Sequence, residues 1–150
     1  MAINLTELEN EFKIISANYD SMMETVEKDI TLDNIKLSDA LKNQLTLQMR
    51  WDSLYKKVSY IYDMAQFLVE QSYSDAVGTE LKGSHRISTI TEAKEFAKSN
   101  SDYKKCKRFM IIVQGVRDEV KVVVETINSR KYILNNLTNS IVASVDDTIL

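Results

Sequence analysis

Apolar residues in this chain recur at alternating steps of three and four over most of its length, the period of one face of an α-helix. The first stripe is Leu8, Phe12, Ile15, Tyr19, Met22 and Val26. It predicts a helix beginning near Thr6, because Thr6-Glu7-Leu8-Glu9 has the capping-box form, in which hydroxyl and carboxylate satisfy exposed amides reciprocally. The polar, acidic stretch from Asp29 to Asn34 reads as a connection. A second stripe, Leu37, Ala40, Gln44, Leu47, Trp51, Leu54, Val58, Ile61, Ala65 and Leu68, predicts a long helix over roughly Ser38 to Ser74. At about 1.5 Å per residue such a helix is about 50 Å long. Tyr55, Tyr62 and Val69 widen its apolar face.

Asp75 to Ser88, with Gly78, Gly83 and the only histidine, His85, reads as a loop. Thr89-Ile90-Thr91-Glu92 is a second capping box and opens a short helix to about Lys98. Ser99-Asn100-Ser101-Asp102 is a break and a fresh cap. The last stripe, Phe109, Val113, Val116, Val120, Val123, Ile127, Arg130, Leu134, Leu137 and Ile141, predicts a helix from about Asp102 past Leu137. The β-branched run Val122-Val123-Val124 raises the alternative of a strand over Glu119 to Ile127. The three-four spacing continues unbroken on both sides, which favours the helix.

The expected fold is therefore all-α: a long antiparallel helical hairpin with a short connecting helix, preceded by an amphipathic helix. The segment between the long helices is too short to carry the chain around a separate domain. The corresponding divisions are an acidic N-terminal extension over 1–30, the hairpin over 31–142 and a tail over 143–150. The seams Leu47-Trp51-Leu54-Val58-Ile61 and Val116-Val120-Val123 offer more apolar face than one hairpin hides. These eight residues are thus expected to form the interface of a helix-bundle homo-oligomer.

Composition sharpens this picture. The 150 residues include no Pro and 3 Gly, so little interrupts a helix. No apolar run approaches the ~18 residues of a membrane span, and the N-terminus lacks the basic and apolar regions of a secretion signal. The single cysteine, Cys106, forms no internal disulfide, which suits a reducing cytoplasm. The net charge of −3 is unevenly spread: Leu81 to Arg108 carries eight Lys/Arg against three acids, and Met1 to Asp39 carries nine acids against three Lys. A local excess of positive charge attracts polyanions whatever the total. One histidine and one cysteine do not make a Zn site of usual composition. There is no Glu-x-x-His pair of the di-iron bundles and no Gly-rich phosphate loop. No enzyme, metal or cofactor is expected. The candidate nucleic-acid site is Lys82, Arg86, Lys104, Lys105, Lys107 and Arg108, with Tyr103 as a stacking partner, a basic-aromatic mixture suited to single strands. Lys104, Lys107 and Arg108 stand at i, i+3 and i+4 and share a helix face.

Two stretches resemble the UvsY-type recombination mediators of tailed phages. The first is Leu32-Asp33 through Leu37, then Leu47, Arg50-Trp51 and Leu54-Tyr55, similar to an "I-D" entry, a Leu, then "L-x-x-K-Y-x-x-[IL]-Y". The second is Ile127-Asn128-Ser129-Arg130-Lys131-Tyr132-Ile133-Leu134-Asn135-Asn136, similar to "I-x-x-R-x-[FY]-x-I-K-N". The resemblance covers roughly Asp29 to Asn139. The family's basic-aromatic segment at the end of the first long helix is Leu68-Val69-Glu70-Gln71-Ser72-Tyr73-Ser74 here, without Lys or Arg; its C-terminal Lys is Asn135, and its central Pro is missing. The resemblance implies a non-enzymatic homo-oligomer in the cytoplasm of an infected bacterial host. It would bind single-stranded DNA, contact the phage recombinase and the single-stranded-DNA-binding protein, and help load the one in place of the other. The alternative is a phage helical adaptor, inhibitor or structural protein acting through protein contacts alone, which the acidic N-terminal arm favours.

Overall fold

A computed structural model describes residues 3–83 and 89–149. Helix α1 (Leu5–Ile30) starts at Asn4, whose Oδ1 accepts the Glu7 amide at 2.8 Å. The cap thus lies ahead of the expected Thr6, because Asn4 to Glu7 offers the same Asx-x-x-Glu spacing slightly earlier. Helix α2 (Leu37–Gly83) follows a short connection in which Asn34 takes a left-handed φ of 58°, a conformation Asn tolerates better than most residues. Thr89 caps α3 (Ile90–Ala97) by accepting the Glu92 amide, as expected. Asn100 caps α4 (Ser101–Ile149), its Oδ1 accepting the amides of Asp102 at 2.9 Å and Tyr103 at 3.1 Å. Four helices and no strand occur among the described residues, so the chain is all-α.

Two helices outrun the sequence expectation. Residues 75–83, expected as loop, extend α2 to Gly83. A helical glycine such as Gly78 costs only about 1 kcal/mol relative to Ala, and buried Ala76 anchors this turn. Residues 143–149, expected as tail, continue α4.

The chain divides into two compact units: Met1–Ser16 with Lys57–Arg117, and Ala17–Lys56 with Asp118–Leu150. Helix α1 contributes to both units. In the first unit the core is Leu8 and Phe12 of α1, Val58, Ile61, Ala65 and Leu68 of α2, Ala93 and Ala97 of α3, and Phe109 and Val113 of α4. Phe12 and Phe109 meet edge to face with centroids 5.7 Å apart. Tyr62 lies under Arg117 at 4.7 Å, Ser72 against Cys106, and Tyr73 against Tyr103, so α2 and α4 run antiparallel here.

In the second unit Tyr19, Met22 and Val26 of α1 pack with Leu47, Trp51 and Leu54 of α2 and Val120, Ile127 and Leu134 of α4. Tyr19 donates its hydroxyl proton to Glu119. Two polar residues interrupt this core, Gln44 and Arg130, and they meet each other. Arg130 Nη1 donates to Gln44 Oε1 at 2.5 Å and to the Ala40 carbonyl at 3.4 Å, while Gln44 Nε2 donates to the Ile127 carbonyl at 2.9 Å. These pairings again make α2 and α4 antiparallel.

The expected oligomer interface is corrected by this burial. Leu47, Trp51, Leu54, Val58, Ile61 and Val120 are at most 6% exposed in the single chain, and Val116 and Val123 are half-buried. The α1 stripe supplies the apolar surface that closes these seams within each unit. The large apolar residues left exposed lie elsewhere, notably Leu41, Leu45 and Met49 at i, i+4 and i+8 on α2, and Ile133, Leu137 and Ile141 at the same spacing on α4.

Candidate nucleic-acid interface

Charge separates along the division into units. Of the net −3, the first unit carries eleven Lys/Arg against ten Asp/Glu, and the second eight against twelve. Of the basic residues singled out from the sequence, Lys82, Lys104, Lys105, Lys107 and Arg108 belong to the first unit.

Helix α4 positions most of them. Its first turn is fixed by the Asn100 cap, and Cys106, Phe109, Met110 and Val113 define its buried side. Lys104, Lys105 and Arg108 are exposed, and Lys107 is half-buried. Lys104 and Arg108, four apart, therefore point to solvent together, and Lys107 contributes less than its spacing suggests. The same exposed face continues into Ile111, 54% exposed, and Ile112, 58% exposed. Lys105 instead borders a groove with Asp75, Asp102 and the first residues of α1, so two carboxylates temper its charge.

Tyr103 is half-buried, its ring tilted against Tyr73 with centroids 5.5 Å apart. One of its faces is thus already occupied within the chain. Lys82 is exposed in the last turn of α2, where a cation also favours the helix dipole. Arg86 and His85 lie outside the described residues.

Sequence reasoning missed the exposed aromatics of this unit. Phe67 and Phe96 are each 57% exposed and Tyr60 is 50% exposed. Tyr60 and Phe67 each precede a seam residue, Ile61 and Leu68. That one-residue offset, which turns a side chain about 100° away from the seam, was the available signal. The Tyr73–Tyr103 and Tyr62–Arg117 contacts set the register of α2 on α4 within this unit.

No group of metal-ligating side chains occurs among the described residues, and no helix there is long and apolar enough to cross a membrane. Protein-family models, characterised proteins and solved structures give no match to this chain. In the two stretches that resemble the recombination mediators, Leu47, Trp51 and Leu54 of the first and Ile127, Arg130 and Leu134 of the second are buried, whereas Arg50, Tyr132, Asn135 and Asn136 are exposed. The conformity of the buried positions to a pattern therefore reports helix packing, and the chemistry has to be sought on the exposed faces.

Proposed function

We propose that this chain is a non-enzymatic, homo-oligomeric protein that binds single-stranded DNA, acting as a recombination mediator of the UvsY type in a phage-infected bacterium. In that role it contacts a recombinase and a single-stranded-DNA-binding protein and helps the first replace the second. The observation that carries the reading is the exposed basic face of α4, Lys104 and Arg108, running into exposed Ile111 and Ile112 in the less acidic unit. Phosphates are held by the charges, and bases stack on exposed aromatic side chains such as Phe67 and Tyr60. One patch of this size binds weakly. Repetition over the subunits of an oligomer raises the affinity through effective concentration without new contacts.

The test is the triple reversal Lys104→Glu, Lys107→Glu and Arg108→Glu, with single-stranded-DNA affinity measured by fluorescence anisotropy across salt and size by light scattering. Each phosphate left without its cation reduces the slope of log affinity on log salt by about 0.7. Exposed Lys104 and Arg108 give a fall of about 1.4 and half-buried Lys107 adds less, so the slope is expected to fall by about 1.5–2 with oligomer size unchanged. Unchanged affinity and slope would remove this face from the reading.

A second reading, a helical adaptor or inhibitor working through protein contacts alone, is favoured by the exposed Leu41-Leu45-Met49 stripe in the acidic unit. Wild-type protein that fails to bind single-stranded DNA even at low salt would select it.

A further inference from the structure

The second unit holds a cavity of about 550 Å³ walled by the end of α1, the α1–α2 connection, α2 and α4. Its size is that of a small-molecule site. Three cations from three helices line it: Lys28 of α1, Arg50 of α2 and Arg130 of α4. Two carboxylates, Asp29 and Asp33, line it too, which leaves the wall with one excess positive charge inside a unit that is otherwise strongly acidic.

The charges in this wall are not used up on one another. Among the described residues, none of the three cations forms an ion pair, although both acids share the cavity with them. Asp29 instead accepts the Thr25 hydroxyl at 2.9 Å. Arg130 is 4% exposed, and its Nη1 is taken up by Gln44 and Ala40, yet its Nε is buried without any partner. A buried donor left unmade costs its desolvation, so such groups are ordinarily satisfied by a ligand or an ordered water. Gln44 fixes the guanidinium in place, so the group is held ready rather than ordered on binding. Lys28 and Arg50 reach the cavity from exposed positions and complete a three-sided positive cradle.

We propose that this cavity is an anion site for a phosphate dianion, either inorganic phosphate or the terminal phosphate of a phosphomonoester, held by Lys28, Arg50 and Arg130. A planar guanidinium offers paired N–H donors that match phosphate oxygens, and an ammonium adds a compact point charge. The site lies in the unit opposite in charge to the one bearing Lys104 and Arg108, and it stands independently of DNA binding by that face.

Isothermal titration of the full chain with sodium phosphate and, separately, with deoxyadenosine 5′-monophosphate tests the site, each at fixed ionic strength in chloride. Binding of either at one equivalent per chain is expected, weakened at least tenfold by Arg50→Gln and by Lys28→Gln. Both residues are exposed, so both variants should retain the wild-type helical circular dichroism. Tighter binding of the nucleotide assigns the site to a phosphomonoester, and binding of inorganic phosphate alone assigns it to the free ion. The Lys104→Glu, Lys107→Glu, Arg108→Glu protein should bind as wild type does. Absence of binding by both ligands at millimolar concentration overturns the proposal, as does binding that neither Arg50→Gln nor Lys28→Gln weakens.

Discussion

Replacing Gln44 by Leu should cost more stability than its modest change in volume suggests. Arg130 is buried, and desolvation pushes its pKa down from the ordinary arginine value. A guanidinium nevertheless stays protonated at neutral pH, so the charge remains in the core whatever surrounds it. Gln44 Oε1 is the side-chain acceptor it has there. A hydrogen bond to a charged group contributes about 1.5–3 kcal/mol, and stranding a buried charge raises the loss to about 3–5 kcal/mol. The leucine recovers about 1.5–2 kcal/mol by its own burial. The net expectation for Gln44→Leu is a loss of about 1–3.5 kcal/mol. Arg130→Met leaves only a neutral amide without its donor and should cost about 1–2 kcal/mol. The double variant has neither problem and should lie within about 1 kcal/mol of wild type, or above it. Urea unfolding followed by far-ultraviolet circular dichroism, at one fixed protein concentration, gives all three values. Additive single effects, or a Gln44→Leu loss under about 1 kcal/mol, would refute the coupling.

Three further outcomes are expected. Trp51, 1% exposed in the second unit, should lose about 3–5 kcal/mol on Trp51→Ala, read by the same urea titration. A Cβ at Gly115 would meet nothing within 4 Å in the middle of α4, so Gly115→Ala should raise stability by about 0.5–1 kcal/mol, seen as a higher melting temperature. If copies associate through the exposed α2 stripe, Leu45→Glu with Met49→Glu should reduce the mass seen by light scattering and leave helicity unchanged; a wild-type mass equal to one chain would end the homo-oligomer reading.

Periodicity reveals the helices of this chain and conceals how they are shared out. Leu8 through Val26 is legible as a stripe, but a stripe does not state what it faces. Assigned to an extension, it leaves the Trp51 and Val120 seams uncovered, which makes them look like an interface between copies. In the structure that stripe covers them within each unit. The end of α2 escapes the sequence for a related reason: Gly78 weakens a helix by an amount that one buried residue, Ala76, offsets, and propensity alone does not reveal the burial. Gln44 and Arg130 stand out in the sequence as two polar positions on apolar seams. That they pair depends on the register of α2 against α4, which no local pattern encodes. The basic run of α4 is visible as composition. Its division into exposed Lys104 and Arg108 and half-buried Lys107 requires the helix to be placed against its neighbours.

The seam of α4 repeats at strict sevens, Val113, Val120, Ile127 and Leu134, and α2 keeps the same beat in Leu47, Leu54, Ile61 and Leu68. One inserted residue would turn everything downstream by about 100° and carry the seam off its partners. Length changes inside these helices are therefore compatible with the packing chiefly when they add or remove seven residues, and three or four only with a local change of winding. Homologues of this chain should thus align without gaps through α2 and α4 even where few side chains are shared.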